Sequence, residues 1–503
     1  MGCRVLLLCS LLMAGGVSAQ VGRDEFEKRR QQMREQFAQQ RNEARRQYDE
    51  ARKKAEAEYA AFRQKANEEY AAAMQQAWDR MVMEPAVPRP KEPAPPRPPK
   101  PPKPPKPVPG RMPEATPLPQ GEVVLPPTSI TPLPLPSVPE PPSSMPTMEF
   151  VMYGTSCNVH AEVADLRFSL PSLEEKKIAA VWKQLSQEKY DGLLHDCMAQ
   201  REALRLSDWG YVQLLGRMSE QLLGKGSNEA VLLQMYLLAQ SGYRVRIANS
   251  DGHLVLLMPF NRNVYNYSYL TIDGIRHYAI TPNKITSVNV CGVAFPREQV
   301  ANILMGNLPD FGSGAKRSRT LKAEQFATLQ ATVEVDQRLI DYLNEYPLND
   351  AWEYYSLAGL SEGVKATLYP ALRSQIEGKS KKKAALMLLD FVQTGFEYST
   401  DQDQFGYERP LFGDESLYYP KNDCEDRSIF YSILVRDLLG LDVVLVQWPG
   451  HLSTAVAFPE EIDGDYFTVD GRRYTVCDPT YIGAPVGETM PQFQGVSANL
   501  VRL

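Results

Sequence analysis

Three residues near the end of the chain could together break an amide bond: Cys424, His451 and Asp478. Successive members are spaced 27 residues apart. Asp423 precedes an apolar run (Ile429, Phe430, Ile433, Leu434, Leu438, Leu439) and suits the N-cap of a helix. Cys424 then falls at the helix N-terminus, where the dipole and unsatisfied N–H groups favour thiolate and can receive an oxyanion. An inert, buried helix-start cysteine is the plainer alternative. His451 follows Gly450 at the start of a predicted strand, 452–458. A base for a thiol must be a neutral imidazole oriented by a third group. Asp478, in Cys477-Asp478-Pro479-Thr480 at the end of the next long strand, is the candidate orienter. Neighbouring antiparallel strands can set His451 and Asp478 side by side.

Other residues near the trio are read more plainly. Glu425 and Asp426 suit a helix start, stabilised by the dipole. Cys477 should point away from Asp478, into the core. Gln404, Tyr407, Tyr418 and Tyr419 precede Cys424, and one of them could complete an oxyanion site or shape an acyl pocket. No metal-ligand cluster, phosphate-binding glycine loop or nucleotide fingerprint is visible, so no cofactor and no metal are expected.

The order Asp423-Cys424-Glu425-Asp426, then Gly450-His451, then Asp478-Pro479-Thr480 resembles the transglutaminase-like superfamily of bacterial cysteine peptidases and amide-transfer enzymes. The segment from Leu388-Leu389-Asp390-Phe391-Val392-Gln393 to Phe396-Glu397-Tyr398 has the same look, so the likeness spans about 385–485. It implies a papain-like arrangement: thiolate attack on the amide carbonyl of a peptide or protein, an acyl-enzyme, then transfer to water or an amine. Hydrolysis, by a peptidase or amidase, is favoured over crosslinking, because amine transfer needs a water-excluding acceptor site that the sequence does not display. The rival is a non-catalytic binding or assembly protein that uses two such modules as scaffolds on an oligomeric stalk.

Two modules are expected because the chain repeats itself. Lys225-Gly226-Ser227-Asn228-Glu229 aligns with Lys421-Asn422-Asp423-Cys424-Glu425, and each opens an apolar helix. Asp251-Gly252-His253-Leu254 aligns with Pro449-Gly450-His451-Leu452, and Tyr269-Leu270-Thr271-Ile272-Asp273-Gly274 with Tyr466-Phe467-Thr468-Val469-Asp470-Gly471. The offsets stay within 196–198 residues. Asp-Gly in this context signals a hairpin turn. The first copy has Asn228 for Cys424 and Thr281 for Asp478 and keeps only His253, so it reads as catalytically dead. The expected fold is α+β: two tandem transglutaminase-like (papain-like) domains, 148–310 degenerate and 311–503 catalytic, with helices packed on an antiparallel sheet.

The elements before them are of another kind. Arg4, an apolar run at 5–13 and Val17-Ser18-Ala19 read as a signal peptide, 1–19, cleaved after Ala19. Leu8 stands where a lipobox needs a small residue, which argues against an anchor on Cys9. The protein is therefore expected to be exported, periplasmic or cell-surface associated in a bacterium. Of 7 cysteines, Cys157, Cys197, Cys291, Cys424 and Cys477 remain, an odd number in an oxidising compartment.

Residues 20–83 should form a long helix or coiled coil. Phe26, Phe37, Tyr48, Tyr59 and Tyr70 recur every 11 residues, a period that keeps one stripe on a nearly straight helix. Exposed aromatics favour a homo-oligomer through 22–83 over a lone solvated helix. Residues 84–147, with Arg97-Pro98-Pro99-Lys100-Pro101-Pro102-Lys103, read as a disordered Pro/Lys-rich linker. A net charge of -6 gives no reason to expect nucleic acid, and no later apolar run is long enough for a transmembrane segment.

Overall fold

The computed structural model describes residues 21–89, 115–127, 138, 140–141, 144–187 and 190–503. The expected signal peptide and most of the Pro/Lys-rich stretch lie outside them. The molecule is mixed α+β, with a long N-terminal helix and curled antiparallel sheets. No helix among the described residues is long and apolar enough to cross a membrane.

The first helix runs Val21–Met74. It contains no proline, and its glutamate, glutamine, arginine and alanine content favours helix. It stops nine residues short of the expected end at 83: Trp78 donates its indole N–H to the Met74 carbonyl at 3.0 Å, and Asp79–Val82 is a strand. The strand is decided by pairing with a distant partner, which helix propensity cannot register. The described residues up to Lys65, 21–65, belong to one unit, and in it Met33, Phe37 and Tyr48 are exposed. The second unit, Ala66–Leu503, begins with the last turns of the same helix. There Tyr70 lies 4.9 Å from the Trp182 ring and 5.4 Å from Phe295, and Asn67 bonds to Gln240 and Trp182.

Two sheets dominate the second unit, and they share one strand order. In the first, Ser287–Val290, Arg246–Ser250, His253–Met258, Ile275–Ile280 and Tyr269–Ile272 lie side by side, all antiparallel. In the second, Ala498–Arg502, Val443–Trp448, His451–Val456, Arg472–Cys477 and Asp465–Val469 do the same. Asp273 and Asp470 both have positive φ (53° and 49°) before a positive-φ glycine, as a two-residue I′ hairpin requires.

Each sheet curls until one N-terminal segment touches both of its edges. Asp79–Val82 pairs with Ser287–Val290, and Glu84 bridges to Tyr269 at the other edge. In the second sheet Thr116–Pro117 pairs with Asp465–Val469, and Gln120–Val124 pairs with Ala498–Arg502. Part of the stretch expected to be disordered linker is therefore sheet. Proline is tolerated here because of alternation: Thr116 and Leu118 donate to Gly464 and Tyr466, while Pro117, with no N–H, stands between them on an edge strand. Each curl encloses its own small core, one around Val255, Leu257 and Val288, the other around Val446, Phe467 and Val476.

Helices pack on the outer face of both sheets. A single large core joins them, running from Trp182 and Leu232 to Leu388 and Phe430. The expected boundary at 310/311 is thus no break in packing. Cys477 is fully buried in that core, as expected.

Candidate functional site

The helix Cys424–Leu434 is buried at every position, and Cys424 is its first residue. Asp423 is the N-cap by position, and its N–H donates to Asp426 Oδ2 at 3.4 Å. The Ser428 hydroxyl donates to the Leu452 carbonyl at 2.9 Å, which ties the helix to the strand bearing His451. The Leu452 N–H favours the Cys424 thiolate, against the larger opposing effects described below.

His451 opens the strand His451–Val456, paired with Trp448 across the hairpin. It is buried, and its Nε2 lies 2.8 Å from Asp478 Oδ2. An ionised carboxylate only accepts, so this bond puts the proton on Nε2 and leaves Nδ1 with a lone pair. The imidazole is stacked against Phe493, with centroids 5.0 Å apart and planes 4° from parallel, and Trp448 stands 6.0 Å from the imidazole and 5.1 Å from Phe493.

Asp478 follows the strand Arg472–Cys477. Its second oxygen accepts from the N–H groups of Thr480 and Tyr481 at 2.9 and 3.2 Å. Gln393 clamps the turn that follows. Its amide nitrogen donates to the carbonyls of Asp478, Tyr481 and Ala484, and its oxygen accepts from Gly483. In the sequence Gln393 belongs to the segment that has the family's look, with no role of its own.

The thiol itself is not in the expected state. It is 2% exposed and donates to Glu425 Oε2 at 3.1 Å, rather than to the imidazole. Burial pushes the Cys424 thiol well above the usual range, and the Glu425 and Asp423 carboxylates push the same way. A helix N-terminus is worth roughly 0.3–1 kcal/mol to a nearby anion, up to ~2 in partly buried geometry. Desolvation and two adjacent acids outweigh it.

Those acids belong to a cluster that the sequence did not reveal. Asp401, Asp423 and Glu425 each offer an oxygen within 4.8 Å of the others. Burial and neighbouring acids raise Asp401 to about 10 and raise Asp423 and Asp426 as well. Glu425 goes the other way: burial opposes its ionisation, but hydrogen bonds to its carboxylate and the charge of Arg89 prevail. The set could hold a cation, which corrects the expectation that no metal-ligand cluster is present. Separation in the chain hid it, since Asp401 lies on another element, Asp401–Gln404.

The oxyanion candidates are otherwise engaged. Tyr418 donates to Gln337 and Tyr419 to Asn344, Tyr407 is exposed, and Gln404 donates to the Lys421 carbonyl. Tyr398 is a better-placed hydroxyl. It pairs with Asn422, two residues before Cys424, and its buried OH has no hydrogen-bond partner among the described residues. Arg427, its guanidinium carbon 5.5 Å from the Tyr398 ring centre, is buried and donates to the carbonyls of Gln393 and Phe396.

The first sheet repeats the layout with other side chains. Asn228 starts the helix Asn228–Gln240, and its Oδ1 accepts the Leu254 N–H at 2.8 Å. Leu254 follows His253 as Leu452 follows His451, so the amide oxygen stands where the other copy has sulphur. Thr281 Oγ1 accepts the Asn283 N–H at 3.2 Å, as Asp478 accepts that of Thr480. His253 is exposed and His451 buried. No protein-family model, curated protein or solved structure matches the chain.

Proposed function

We propose that this chain is an exported cysteine enzyme of the transglutaminase-like type, with Cys424 as nucleophile, His451 as base and Asp478 as orienter. The observation that carries the reading is the buried His451–Asp478 pair, on the strand that Ser428 ties to the helix begun by Cys424. Asn228 and Thr281 at the matching places of the other sheet support it. Thr281 accepts the same backbone N–H as Asp478, and Asn228 starts its helix as Cys424 does, so packing alone does not call for a thiol or a carboxylate there.

In the proposed reaction the thiol turns from Glu425 to His451 Nδ1 and gives up its proton. The sulphur attacks the amide carbonyl carbon of a peptide or protein, a C–S bond forms, and the carbonyl π pair moves to oxygen. The Cys424 N–H at the helix start receives that oxyanion. Collapse breaks the C–N bond, and the imidazolium protonates the departing amine. Water then gives a proton to Nδ1 and adds to the thioester, and collapse releases the carboxylic acid and returns the thiol. Asp478 stabilises the imidazolium throughout.

Alkylation tests this directly. Iodoacetamide labelling of Cys424 should fall about ten-fold or more in His451→Ala. A rate indifferent to His451 would favour the second reading, a binding or assembly protein. The exposed Phe37 and Tyr48 also support self-association through the N-terminal helix in either case.

A further inference from the structure

The short strand Glu397–Tyr398 brings a hydroxyl to the start of the helix that bears the proposed nucleophile. It runs parallel to Lys421–Asn422, with Tyr398 opposite Asn422, two residues before Cys424. Three contacts fix this strand to the helix Cys424–Leu434. Arg427 donates to the Phe396 carbonyl at 2.9 Å, Phe396 meets Phe430 edge-on at 5.6 Å, and the Arg427 guanidinium carbon lies 5.5 Å from the centre of the Tyr398 ring. Arg427 is three residues after Cys424, so the phenol is held beside the first turn of the helix.

The Tyr398 hydroxyl is buried and has no hydrogen-bond partner among the described residues. A buried polar group left unpaired carries its desolvation cost uncompensated. Phenylalanine would fill the same space without that cost, so packing does not account for the oxygen. Burial holds the phenol well above its ordinary value, and Cys424, Asp423 and Glu425 push the same way. The group therefore stays protonated, a donor, at neutral pH. The first sheet is an internal control. Before its helix Asn228–Gln240 the chain makes a turn, in which the Ser227 N–H donates to the Gly224 carbonyl at 3.3 Å. Among the described residues, the strand pair that brings Tyr398 has no counterpart there.

We infer that Tyr398 is a further catalytic residue, its hydroxyl the second donor, with the Cys424 N–H, to the oxyanion formed on the attacked amide. The inference rests on the reading of Cys424 as nucleophile. As the C–S bond forms and the carbonyl π pair moves to oxygen, the phenol donates a hydrogen bond to that oxygen and keeps its own proton. On collapse the pair returns to the carbonyl. The resting fold has no use for this donor, so its bond strengthens where charge develops and speeds the chemical step.

Two reagents that differ in whether an oxyanion forms test it on the full chain. p-Nitrophenyl acetate acylates a thiol through a tetrahedral oxyanion, whereas iodoacetamide alkylates it by displacement at a saturated carbon. Both rates at Cys424 are followed by mass spectrometry. Tyr398→Phe should slow acetylation about 100-fold, the lower end of the loss on removing one oxyanion donor, and leave alkylation within about two-fold of native. His451→Ala should slow both reactions. The unfolding midpoint of Tyr398→Phe should equal or exceed the native one, since the variant removes an unpaired buried group. Unchanged acetylation in Tyr398→Phe overturns the inference, and so do equal slowing of both reactions and a lowered midpoint, each the mark of a hydroxyl that serves the fold. If both rates depend on His451 and neither on Tyr398, this inference alone fails. Rates that ignore His451 would remove the nucleophile reading itself.

Discussion

At the residue scale the site is held in a protonated, shielded state. Burial, Glu425 and Asp423 raise the Cys424 thiol above its ordinary value, so less thiolate is present at pH 8 than in a free cysteine. The alkylation rate of Cys424 should accordingly keep climbing above about pH 9, past the ordinary thiol value; a plateau below pH 8 would show a stabilised thiolate instead. Asp401 gives a stability counterpart. Its folded value, about 10, lies above its unfolded value. Its contribution is therefore complete below about pH 4 and is lost as pH rises toward 10. Asp401→Asn retains an acceptor for the Arg409 N–H, now at 2.6 Å, and cannot ionise. It should stabilise the fold by about 1–3 kcal/mol at pH 8 and by little at pH 4, as read by denaturant unfolding. Equal effects at the two pH values would contradict this. The positions of His451 and Asp478 could be read from Gly450-His451 and Asp478-Pro479, because strand ends and hairpins leave local marks. The Glu425 bond to the thiol, the stacking of Phe493 on His451 and the orphan hydroxyl of Tyr398 leave none. They arise from contacts between distant segments.

At the element scale, the repeated pattern in the chain corresponds to a repeated strand order. The near-constant offset and the Asp-Gly turns made that much legible. What stayed hidden is that each sheet borrows its bridging strand from the N-terminal region. The composition of 116–124 reads as linker, and its strands are fixed only by the unpaired edges they meet. Leu118 packs on the small core of the second sheet. Leu118→Ala should therefore cost about 2 kcal/mol of stability in chemical denaturation; an unchanged midpoint would show that this segment is dispensable. Gln393 is a positioning residue by the same logic. Gln393→Ala removes the clamp on the 478–484 turn and should reduce Cys424 alkylation while leaving its dependence on His451 detectable. Full native reactivity would remove that role.

At the scale of the whole molecule, the aromatic stripe of the first helix meets two environments. Toward the end of the helix Tyr70 is buried against Trp182 and Phe295, whereas Phe37 and Tyr48 are exposed. The 11-residue period predicts that a second copy covers them. Replacing Phe37 and Tyr48 together by glutamate should convert the sedimenting species to a monomer, and a native chain already monomeric at micromolar concentration would contradict the stalk.

A Cys424 nucleophile helped by His451 must pass through an acyl-enzyme. Intact-mass spectrometry of the full chain exposed to p-nitrophenyl acetate tests it most directly. One transient acetyl group should appear on Cys424, formed about 100-fold more slowly in His451→Ala and in Asp478→Ala. Acetylation that never reaches Cys424, or that proceeds at the same rate in all three proteins, would contradict it.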